Sequence, residues 1–63
     1  MIEEWELWAC AHEFVRRHGE DAAIHAAMRA DALFDEGDME GARTFRMIVK
    51  KINELQRGAA TLQ

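Results

Sequence analysis

Sixty-three residues with a net charge of −4, 49% of them hydrophobic and 32% charged, suffice for one domain at most, residues 1–63. A lone Cys10 and no CxxC pair exclude an internal disulfide and a cysteine-based zinc site. The acidic balance disfavours nonspecific binding to nucleic acid or to an anionic membrane, and the apolar content argues against disorder.

No proline occurs, and the helix formers Ala, Glu, Arg, Leu and Met dominate, so four glycines do the punctuation. The first predicted helix spans about 3–18. Trp5, Trp8, His12 and Val15 share one stripe, widened by Leu7, Cys10, Ala11 and Phe14. Glu3, Glu4 and Glu6 open this helix and Arg16, Arg17 and His18 close it, which suits the helix dipole. Gly19 is placed at a left-handed C′ position.

The second predicted helix spans about 21–36, with Glu20 or Asp21 as N-cap. Ala23, Ala26, Ala27, Ala30, Leu33 and Phe34 form a face of mostly methyl groups. Such a face lets a neighbouring backbone approach closely but supplies little buried area. The third predicted helix spans about 39–57, capped by Asp38 and stopped by Gly58, with 58–63 as a frayed tail. Ala42, Phe45, Ile48, Val49, Ile52 and Leu55 make its stripe. Phe45, Ile48, Ile52 and Leu55 are therefore expected to pack on Trp8, Val15 and Leu33. Connections of about two residues force consecutive helices into αα-hairpins. The expected fold is all-α, a three-helix bundle.

The turn "LFDEGDMEGARTF" resembles the inter-helix turn of tetratricopeptide repeats in its GD pair, in Ala42, and in Ala30 and Leu33 before it. Arg29, Arg46 and Val49 depart from that pattern, and no proline closes the unit. A glycine ending one helix and an aspartate capping the next accounts for the turn without a repeat. That reading also makes Gly41→Ala, inside the third helix, neutral or stabilising. Over nearly the whole chain, "ELWACA", "HGEDAAIHAAMRADAL", "GDMEGARTFRMI" and "INEL" resemble a family of short alphaproteobacterial proteins of unknown function. This resemblance implies a bacterial cytoplasmic origin and no activity, cofactor or catalytic residue.

Function-bearing patterns are few. His12, His18, His25 and Cys10 are nominally enough for a metal site, and Gly19 lets His18 and His25 approach one another. However, "HEFVRRH" spaces its histidines for opposite helix faces and is not HExxH. Cys10 and His12, two apart, point about 200° apart. Neither a Gly-rich phosphate loop nor a nucleophile elbow is present, and Glu13 and Asp35 fit solvated faces. No catalytic residue, cofactor or metal is therefore expected, and the protein is expected not to be an enzyme. Arg43, Arg46 and Lys50 form a basic face on the last helix, with Lys51 and Arg57 nearby and Glu54 interrupting it. A helix-turn-helix-like DNA-associated protein is the alternative this face supports, although no aromatic is interleaved to stack bases.

Ile2, Trp5, Leu7 and Trp8 are the expected interface. Two indoles one turn apart are a large apolar load for so small a domain, and a core thinned by alanine favours self-association as a homodimer. An acidic start, "MIEEWELW", and no apolar run approaching roughly 20 residues point to a cytoplasmic protein with no membrane association.

Overall fold

The computed structural model describes residues 2–61, and the side chains of 2–58. They form an all-α hairpin bundle of three helices: α1 (Glu4–His18), α2 (Ala22–Asp35) and α3 (Met39–Thr61). The long α3 is the spine. It packs most extensively on α2 and then on α1, and the principal extents are 41 × 22 × 16 Å.

Helix α1 starts where the Glu6 carboxylate accepts the backbone N–H of Glu3 at 2.9 Å, half of a capping box. Its acidic first turn and basic last turn follow the dipole. At its end Gly19 takes φ 57° and ψ −128°. This is a region open to glycine but not the left-handed helical one expected of it. The chain then makes a single 3-10 turn, Gly19–Asp21, before α2 begins. Asp21 stands at the N-cap position but makes no side-chain cap bond, contrary to expectation. The Ala22 N–H already bonds the Gly19 carbonyl within the 3-10 turn. The same carbonyl accepts from Gln56 Nε2 at 3.1 Å, which ties the α1–α2 corner to α3.

The α2–α3 connection is a Schellman turn followed by an N-cap. The Asp38 N–H reaches the Leu33 carbonyl at 2.8 Å and the Gly37 N–H reaches that of Phe34 at 3.0 Å, with Gly37 at φ 87°. Asp38 Oδ1 then accepts the Gly41 N–H at 2.9 Å. Two local motifs thus account for the turn that resembles a tetratricopeptide repeat.

Gly58 does not stop α3, which continues to Thr61. Glycine terminates a helix by turning to positive φ with the following chain folded back, as at Gly37. Gly58 keeps a negative φ. Of the expected tail, Leu62 and Gln63 lie outside the described residues.

The core is Leu7 and Ala11 from α1, Ala22, Ala26, Ala30 and Leu33 from α2, and Ala42, Ile48 and Ile52 from α3. Ile48 and Ile52 are fully buried, as the α3 stripe predicts, whereas Phe45, Leu55, Val15 and Trp8 are only partly buried. On α1 the stripe differs from expectation. Leu7 and Ala11 turn inward, with Phe14 partly buried beside them, while Trp5 and His12 face outward. The reason is steric. Helices that cross over alanine approach closely, and Ala11 fits such a crossing where an indole or imidazole would wedge the pair apart.

Candidate interaction surface

The four residues expected to form an interface on α1 do not stay together. Leu7 is buried in the core and so is no surface residue; its place on the inward stripe of α1 decides that. Ile2 is half-buried and packs against the core. Trp8 is half-buried, and the Lys51 ammonium sits 4.7 Å from its ring centroid. Only Trp5 projects, with 69% of its surface exposed.

Lys51, near the basic face in sequence, has a largely covered side chain. It reaches Glu4 at 3.6 Å and Glu54 at 3.8 Å while lying against Trp8. It therefore links α1 to α3. One signal was available, because Lys51 lies about 100° from Lys50 on the helix and so on its flank.

Arg43, Arg46 and Lys50 are all exposed along α3. The Arg46 guanidinium lies 5.5 Å from the centroid of Phe34, which belongs to α2. The basic row thus borders the α2 surface. That surface carries Ile24 and Met28, each 59% exposed, and Phe34 at 48%, while Met39 heads the α3 row at 50%. Sequence reasoning missed Ile24 and Met28 because they lie opposite the alanine face. Apolar residues there have no role in the chain's own core.

The chemistry-bearing residues are arranged as follows. His18 and His25 do meet, their rings stacked with centroids 3.9 Å apart and planes 17° apart. Phe14 lies 5.7 Å from His18 and meets Phe45 edge-on at 5.9 Å, so the four rings form a ladder across the bundle. His12 stands apart on the exposed side of α1. Among the described residues no group of three or more His, Cys, Asp or Glu gathers to hold a metal ion. Cys10 is a free, half-buried thiol packed against the core.

Glu13 accepts hydrogen bonds from Arg16, with Nε at 3.2 Å, and from Arg17 Nε at 2.7 Å. The Arg16 hydrogen bond first, and then that of Arg17, hold its carboxyl down at about 2. A carboxylate so fixed has no proton to give at neutral pH. An open groove of about 490 Å³ runs beside the start of α3, between Ile2, Glu40, Arg43 and Met47. Among the described residues no helix is long and apolar enough to cross a membrane.

The chain belongs to a family of unknown function, DUF6961, whose model matches residues 3–60. No curated protein and no solved structure matches it.

Proposed function

We propose that this chain is a non-enzymatic protein-interaction domain of the bacterial cytoplasm, and that one partner is a second copy of itself. The observation carrying the proposal is the distribution of apolar bulk. The core is five alanines and four larger aliphatics, while Trp5, Ile24, Met28, Phe34 and Met39 remain about half or more exposed. A small domain that leaves such side chains in water while burying methyl groups gains by covering them.

Sedimentation equilibrium over a wide concentration range tests this directly. Reversible dimerisation is expected, with apparent thermal stability rising with protein concentration. A 7.2 kDa monomer at every concentration would overturn self-association. The second reading, a helix-turn-helix-like DNA-associated regulator, rests on the exposed Arg43, Arg46 and Lys50. It requires an affinity for duplex that falls steeply with ionic strength. Arg46 lying over Phe34 and the overall acidity count against it.

A further inference from the structure

Two stripes on the solvent side of the α2–α3 hairpin share one spacing and oppose one another in charge. On α2, Ile24, Met28, Asp31 and Asp35 follow intervals of four, three and four, and all are exposed. At about 100° per residue they occupy one side of the helix, turned away from Ala22, Ala26 and Leu33. On α3, Met39, Arg43, Arg46 and Lys50 follow the same intervals and are likewise exposed. Each stripe pairs apolar side chains with charges of one sign, negative on α2 and positive on α3. The contact of Arg46 with Phe34 shows that the basic row adjoins the exposed edge of α2.

From this complementarity we infer that the copies pair through these two faces, the α2 stripe of each lying on the α3 stripe of the other. The inference rests on the self-association proposed above and specifies where it happens. Within one chain the two stripes lie side by side and cannot cover one another. A second copy related by a two-fold axis covers both at once, because a closed symmetric contact uses each face twice. In an antiparallel hairpin the end of α2 is level with the start of α3. A two-fold running along the helices therefore sets Asp31 of each copy level with Arg43 of the other, with Asp35 one turn away at the height of Met39. Ile24 and Met28 then lie over the aliphatic stem of Lys50 and its neighbours, which can cover apolar surface while the ammonium stays in water. The charges supply register and partner choice, and the apolar side chains supply the area. Trp5, on α1, takes no part.

Charge reversal tests the assignment in the full chain. One variant carries Asp31→Lys and Asp35→Lys; the other carries Arg43→Glu, Arg46→Glu and Lys50→Glu. All five positions are exposed, and helical circular dichroism verifies that both variants fold. Each alone then presents like charges across the contact, and its dimer Kd should rise by at least about tenfold. An equimolar mixture restores opposite charges at both contacts and should recover heterodimers within a few-fold of the native affinity. Trp5→Ala should dimerise like the native chain.

A native dimer that both reversed variants retain, or a mixture that stays monomeric, would overturn this interface while leaving self-association standing. Loss of the dimer on Trp5→Ala would move the contact to α1. A native chain that is monomeric throughout would instead sink the parent proposal.

Discussion

Replacing Gly41 by alanine tests how the start of α3 is built. Gly41 lies in the first turn of a helix, where alanine is ordinarily favoured over glycine by up to about 1 kcal/mol. Here an added Cβ would stand 2.5 Å from Asp38 Oδ2 and 2.9 Å from Asp38 Cγ. The carboxylate that caps α3 must then swing aside, and losing an aspartate cap costs about 0.5–2 kcal/mol. The two effects nearly cancel, so Gly41→Ala should leave stability within about 0.5 kcal/mol of the native chain, the neutral end of what the sequence suggests. The gain reappears once the obstacle is gone. In an Asp38→Ala background, Gly41→Ala should stabilise by about 1 kcal/mol, a coupling larger than the ~0.3–0.5 kcal/mol scatter of additive pairs. Urea denaturation reads this well. With a slope of about 1 kcal/mol/M for a small domain, the midpoint moves by about 1 M in one background and hardly in the other. Equal stabilisation in both backgrounds would refute the close approach of the Asp38 carboxylate to Gly41.

Ile52, fully buried at the centre of α3, should cost about 2–5 kcal/mol when cut to alanine, and an unchanged denaturation midpoint would remove it from the core. Ala26→Leu should destabilise by about 1–3 kcal/mol in the same assay, because the fully buried methyl leaves no room for a larger side chain; a neutral result would mean that α2 is not seated closely. Gly37→Ala should cost about 1 kcal/mol or more through its φ of 87° alone, since nothing lies within 4 Å of the added carbon. Glu13, held at about 2 against an ordinary 4.5, binds its proton less readily folded than unfolded. Its stabilising contribution is therefore complete above about 4.5 and lost as pH falls toward 2. Because all three partners are exposed, the effect is small. A Glu13→Gln chain should show a shallower loss of stability than the native chain over that window, and parallel curves would refute the clamp.

Much of the fold is legible because its causes are local. Helical period, the absence of proline, charges placed along the dipole, Gly37 with Asp38, and the Ile48–Ile52 stripe all act within a turn or two of chain. The positions of α2, α3 and their joint follow from them. The side of α1 that turns inward is not local. Its stripes through Leu7 and through Trp5 are both apolar, and the choice falls to the one that fits the alanines of α2. That choice buries Leu7, strands Trp5, and brings Lys51 over Trp8. Gly58, by contrast, lacks the capping aspartate that follows Gly37; Ala59 and Ala60 come next and the helix runs on to Thr61. The candidate surface divides in the same way. Arg43, Arg46 and Lys50 could be read from spacing alone. That Ile24 and Met28 remain uncovered beside them was decided when α2 committed its alanine face to the core.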